Sequence, residues 1–249
     1  MSFIIDPNNP PPTPDGMSKG LEPRPIEFGK LSFAAPWAVS PLNAAELKEQ
    51  IAFQKANKTG LIARSKAAGV GIKNQARTNY CWAFGTIRMV ELTRLQMGEE
   101  HVPLSPASVA CLIKNYRNVG GWGGQCLEGI QKWGIAPESL WPQSAIDKDY
   151  DNAESRAARK AFNVTDFVDV PEDFYAVMTL LVRGLPCSVA FNWWGHLVCA
   201  VEADVVNGQL GYWVDNSWNT TWGTGGRGFI TGKKADPSEA YSVLVPTAA

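Results

Sequence analysis

Cys81 stands where a polar loop meets an apolar, helix-like segment, in the stretch NQARTNYCWAFGTIRMVE. A lone cysteine beside Trp and Phe is more often a small core hydrophobe than a nucleophile. At a helix start, however, unpaired N–H groups and the macrodipole favour a thiolate. Gln75, six residues upstream, offers a side-chain N–H to an oxyanion forming near that sulfur. A thiolate nucleophile also needs a group that accepts and returns a proton. Of the two histidines, His101 lies in the polar loop GEEHVPLSP and reads as a surface residue. His196 instead opens an apolar strand in WWGHLVCAVE. Asn216, in YWVDNSW, ends the next strand of a hairpin, where its side-chain amide can accept the second imidazole N–H. Trp218 would screen that contact from water. The chemistry of such a set is acyl chemistry through a thiol.

The elements that must position these groups are legible from caps and periodicity. Residues 43–58 predict a helix capped by Asn43 with Glu46 three residues on, and Leu47, Ile51 and Phe53 on its apolar face. Tyr80 to about Met97 predicts a second helix, stopped by Gly98. LSPASVACLIKNYRN predicts a third, with Ser105 as cap and Pro106 at its first position. A glycine-rich turn then opens a helix ending near Gly134, and VPEDFYAVMTLLVRG predicts one more. Beyond about residue 163 the runs PCSVAFNW, HLVCAVEADVV, LGYWVDNSW, GRGFITG and YSVLVP read as short strands. Helices first and strands later predict an α+β class with two lobes, 61–155 mainly helical and 156–249 mainly β. Nine of the 17 prolines fall within the first 41 residues, so residues 1–60 read as a proline-rich arm plus a short helix.

Composition removes several function classes. With 23 basic against 24 acidic residues and no basic block, nucleic acid is not the expected partner. No apolar run reaches membrane-spanning length, and the N-terminus has no signal-peptide pattern. Five cysteines cannot all pair, none form C-x-x-C, and two histidines are few for zinc, so reduced thiols and no metal or other cofactor are expected. That points to the cytoplasm or another reducing compartment.

NQARTNYCWAF, GHLVCAVE and VDNSWNTTWGTGGRGF together resemble the papain-like cysteine peptidases. The resemblance implies a two-lobed fold, its helical lobe packed against an antiparallel, β-barrel-like lobe with the active-site cleft between. It implies Cys81 as nucleophile, His196 as general acid/base, Asn216 as orienting amide and Gln75 as oxyanion donor. Trp218 would cover the His–Asn contact, and Gly120 and Gly121 would hydrogen-bond an extended substrate. LIARSKAAGVGIKNQ resembles the segment that opens the mature enzyme, and Glu91 falls where the family has a glutamate. Thr78-Asn79-Tyr80 replaces the family's Cys-Gly-Ser/Ala, and Asn118 stands at the place of the matching cysteine, so one usual disulfide is absent. Asn79 would tolerate left-handed backbone, Tyr80 would narrow the cleft, and Trp194 and Leu197 would leave a small or apolar specificity pocket.

The expected function is hydrolysis of peptide or isopeptide bonds in a protein or peptide substrate, with acyl transfer to an amine as a variant. The alternative is a structural or interaction protein, a component of a larger assembly, that keeps the fold with an idle or vestigial triad. The arm is then a tether to a protein partner; in the first case it is a tether or prosegment.

Overall fold

The structure is a computed structural model that describes residues 2–25, 35, 37–164 and 166–243. Its helices are α1 (Ala44–Asn57), α2 (Leu61–Ala67), α3 (Cys81–Gln96), α4 (Pro106–Lys114), α5 (Gly123–Trp133), α6 (Ala153–Ala158) and α7 (Phe174–Val182). Its strands are β1 (Phe167–Val170), β2 (Cys187–Phe191), β3 (His196–Val206), β4 (Gln209–Asp215), β5 (Arg227–Thr231) and β6 (Glu239–Val243). Residues 244–246 of the run YSVLVP lie outside the described residues, as do 26–34 and 36 of the arm.

Local chemistry accounts for most boundaries. Asn43 accepts from the backbone of Ala45 and Glu46 while the Glu46 carboxylate takes the Asn43 N–H, a complete capping box. Ser105 caps α4, with Pro106 at its first position, and Asp173 caps α7. Phe53 departs from expectation: it is 61% exposed, while Leu47 and Ile51 are buried. Those two sit one turn apart, whereas Phe53 is rotated about 200° from Ile51. Helices α2 and α6 and strand β1, short and without a strong apolar period, were not anticipated.

The six strands form one antiparallel sheet in the order β1-β6-β2-β3-β4-β5. It does not close into a barrel, because β1 and β5 remain edges and arm residues cover both. Ile4 pairs with Phe229 on β5, and Ala35 with Val168 on β1. Alternate residues of β3 serve two cores. Leu197, Cys199 and Val201 join the core of α3, α4 and α5, while Val198, Ala200 and Ala203 join that of α7 and α1. The arm helix α1 is therefore seated on the β lobe. Gly85 lets α3 lie directly on β3, since a Cβ there would overlap Leu197 and the Val198 backbone. That close approach sets the start of α3 beside the start of β3.

Candidate active site

Cys81 is the first residue of α3, fully buried, with Tyr80 preceding it at the cap position. Backbone groups of Leu197, Gly20 and Trp82 lie near its sulfur and favour its charged form. The Trp82 amide belongs to the helix N-terminus, Leu197 follows His196, and Gly20 comes from the arm. Burial pushes the thiol up to about 12, against those three groups and the Lys19 charge.

On the sheet side, His196 Nε2 lies 2.7 Å from Asn216 Oδ1, in the geometry of an N–H donating to an amide oxygen. Nδ1 has no hydrogen-bond partner among the described residues. Trp218 stacks on the imidazole at 4.4 Å between centroids, and Trp194 meets it edge-on at 4.8 Å. This enclosure depresses His196 to about 3: burial dominates, the Asn216 hydrogen bond opposes it and the Lys19 charge adds to it.

Asn216 is in turn fixed from behind. Its neighbour Asp215 accepts from Arg88 Nε and Nη2 at 2.8 and 2.6 Å and from Arg227 Nε at 2.6 Å. The Asn216 N–H donates to the Gly226 carbonyl. Gln75 is held between the lobes: its N–H donates to the Ser217 carbonyl at 2.8 Å, and its Oε1 accepts from the Ser217 hydroxyl at 2.5 Å. That second bond turns Gln75 Nε2 into the cleft.

The cleft is occupied by the arm. Gln75 Nε2 donates to the Ser18 carbonyl at 2.9 Å, and Trp218 Nε1 donates to the same oxygen at 3.0 Å. Gly121 N donates to the Gly20 carbonyl at 2.9 Å, and Glu22 N returns a bond to the Gly121 carbonyl at 2.8 Å. Residues 18–22 thus lie extended across the sulfur, with Leu21 in parallel pairing with Gly121. Glycine is required at three places for this fit. A Cβ on Gly20 would overlap the Asn79 backbone, one on Gly120 would press on Gly20 and Glu22, and one on Gly121 would enter the Trp82 ring.

The predicted residues fall as follows. Cys81, Gln75, His196, Asn216, Trp218, Gly120 and Gly121 gather around residues 18–22 of the arm. Trp194 is buried in a cluster with Trp218, Trp222 and His196. Leu197 packs toward Gly85 and Gly123. Tyr80 does not narrow the cleft: it is buried, with its hydroxyl donating to the Arg117 carbonyl at 2.9 Å and 3.9 Å from Cys111 Sγ. Asn79 is absent from the residues with positive φ, so no left-handed turn is needed there. Instead Asn79 and Asn118 clamp the loop. Asn118 Oδ1 accepts from Asn79 N at 2.6 Å, Asn118 Nδ2 donates to the Arg77 carbonyl at 3.0 Å, and Asn79 Nδ2 donates to the Asn118 carbonyl at 3.1 Å. All five cysteines are free and buried. Sequence reasoning did not single out Arg88, Asp215 and Ser217 or the arm residues Ser18, Lys19 and Gly20; Gly20 alone, as a glycine, hinted at a close approach.

The papain family cysteine protease profile matches residues 61–198, more than half of the chain. The chain belongs to the papain family of cysteine proteases. It is 28% identical over 187 residues to the thiol protease SEN102 of Hemerocallis, covering 66% of this chain and 51% of that protein. It is 30% identical over 188 residues to the KDEL-tailed cysteine endopeptidase CEP2 of Arabidopsis thaliana, covering 66% and 51%. The chain thus spans about half the length of the curated relatives it matches. Among solved structures, xylellain, a cysteine protease from Xylella fastidiosa, superposes with a TM-score of 0.66 at 15% identity, over 92% of this chain and 97% of that one. A digestive procathepsin L 3 of Tenebrio molitor superposes with a TM-score of 0.61 at 22% identity, over 70% and 66%. The papain fold therefore extends, in the xylellain comparison, beyond residues 61–243 into the arm. No group of His, Cys, Asp or Glu able to hold a metal ion occurs among the described residues, and no helix there is long and apolar enough to cross a membrane.

Proposed function

We propose that this chain is a thiol-dependent peptidase acting through Cys81, His196 and Asn216, and that the described form is its closed state. The observation that supports this reading is that Cys81 at the α3 start, Gln75 Nε2 and Trp218, which stacks on the Asn216-bound His196, all meet one strip of extended backbone. With a substrate in place of the arm, Cys81 gives its proton to His196 Nδ1 and its sulfur attacks the scissile carbonyl carbon. The carbonyl oxygen becomes an oxyanion held by Gln75 Nε2 and the backbone at the start of α3. As the C–N bond breaks, His196 returns the proton to the leaving amine, and a thioester remains on Cys81. His196 then takes a proton from water as the hydroxide adds to the thioester carbon; the C–S bond breaks, the acid leaves, and His196 returns the proton to the sulfur. An isopeptide bond or an amine acceptor in place of water would use the same steps.

Residues 18–22 support a second element of this reading, self-closure. The Ser18 carbonyl occupies Gln75 Nε2, one of the donors that an oxyanion needs, and the Gly20 backbone lies near the sulfur. An arm that only tethered the chain to a partner would not use these groups. Five free cysteines fit a reducing compartment. The test is hydrolysis of a fluorogenic peptide mixture by the full chain and by Cys81→Ala. Turnover lost in the variant supports the reading. Equal turnover in both, or none in a chain whose cleft has been opened by Gly20→Val, refutes it.

A further inference from the structure

The arm leaves the cleft past Leu21, and its next basic side chain, Arg24, is gripped by acids. Arg24 Nη1 donates to both oxygens of Asp169, at 3.1 and 2.9 Å, and to the Tyr241 hydroxyl at 3.0 Å. Its Nη2 donates to Glu172 at 3.1 Å. Asp169 and Tyr241 face each other across the β1–β6 pairing, and Glu239 lies two residues before Tyr241 on the same face of β6. Glu239 closes the inner end of this notch. It is 2% exposed, its Oε1 accepts from Gly123 N at 2.6 Å, and its Oε2 has no hydrogen-bond partner among the described residues. Gly123 is two residues from Gly121, the residue that holds extended chain in the cleft.

A buried carboxylate with one oxygen unpartnered is costly unless a donor or cation reaches it. Burial raises Glu239 to about 7, against the Gly123 N–H and the Arg24 charge. Nothing in the expectation of a small or apolar pocket accounts for these acids.

We propose that Glu239, Asp169, Glu172 and the Tyr241 hydroxyl form a subsite for a basic side chain of the substrate, Arg or Lys, lying at or within three residues of the one that pairs with Gly121. This deepens, and rests on, the peptidase reading. In the closed form the arm fills the subsite with its own arginine; once the arm leaves, three carboxylates and a hydroxyl face the cleft. The planar guanidinium, with five donors, suits this divided set of acceptors better than an ammonium.

The test uses the full chain carrying Gly20→Val and Arg24→Ala, which together displace the arm and empty the notch. Peptides on a fixed alanine backbone carry, at each position in turn, Arg or its uncharged isostere citrulline. The expected result is at least a tenfold higher kcat/KM for Arg at one position, with the ratio falling towards one on adding Glu239→Gln or the half-exposed Asp169→Asn. The same peptides are titrated by fluorescence anisotropy onto the chain that also carries Cys81→Ala, a readout independent of turnover. Cys81-dependent hydrolysis with an Arg-to-citrulline ratio near one at every position overturns the subsite and leaves the peptidase reading standing. Arginine-selective binding without hydrolysis supports the subsite and overturns the peptidase reading. Neither hydrolysis nor selective binding overturns both.

Discussion

The two walls of the cleft are held in different ways. On the sheet wall, His196, Asn216 and Trp218 are fixed mainly from within the body: an amide at 2.7 Å, a stacked indole and the Arg88–Asp215–Arg227 group behind them. On the helix wall, the groups that face outward are spent on the arm: Gln75 Nε2 on Ser18, both polar atoms of Gly121 on Gly20 and Glu22, and the sulfur under Gly20. One wall is held by the body's own contacts, the other by contacts to the arm. In the proposed mechanism the catalytic groups lie in residues 61–243, whereas their exposure to substrate is set by residues 18–24.

Substitutions can break this contrast from either side. The largest effect is expected for Cys81→Ala, which should lower turnover by roughly a thousandfold or more, measured as initial rates on the opened chain. On the sheet wall, Arg88→Met leaves the buried Asp215 with only one of its two arginines. Denaturant unfolding should show a loss of about 3 kcal/mol, together with a lower kcat as Asn216 loses its support. On the helix wall, Gly20→Val should raise the rate of Cys81 alkylation about tenfold without changing the unfolding midpoint of the body, because only the arm is displaced. Asn118→Ala removes the clamp that stands in place of a disulfide and should cost about 1 kcal/mol, seen as a small shift in the unfolding midpoint.

The contrast also has a pH signature. In the closed form His196 sits at about 3, against about 6.5 in water. The closed form therefore binds fewer protons between these values. Relative to the unfolded chain, the contribution of His196 to the stability of the fold is full above pH 6.5 and is lost as pH falls towards 3. Cys81 sits at about 12 in the closed form, against about 9 unburied, so its contribution is full below pH 9 and lost as pH rises towards 12. Denaturant unfolding of the full chain should show greatest stability between roughly pH 6.5 and 9, with His196 drawing it down on the acid side and Cys81 on the alkaline side.

Much of this was legible in the sequence because it is written in residue type. A cysteine after a polar loop, a histidine opening an apolar strand and an asparagine ending the next each stand out locally, and so do the caps of α1 and α4. What was not legible depends on partners far apart in the chain. Arg88 looks like one more residue of an apolar helix until Asp215, 127 residues on, is placed beside it. Tyr80 looked like an obstacle because sequence does not say which way a side chain turns, and here it turns inward to Arg117. The arm was hardest to read, since it binds through backbone atoms that every sequence shares. Glu239 was hidden for another reason: an acid ahead of a strand normally reads as solvated, and only the fold buries it.

The central claim is that a complete cysteine-peptidase site lies beneath residues 18–22. Its most direct test is the rate of covalent labelling of Cys81 by an epoxysuccinyl probe, followed by intact mass on the full chain with and without Gly20→Val. The account predicts slow labelling of the unaltered chain and fast, single-site labelling of Gly20→Val that His196→Ala abolishes. Labelling of Gly20→Val at the rate of a simple buried thiol, unchanged by His196→Ala, would contradict it.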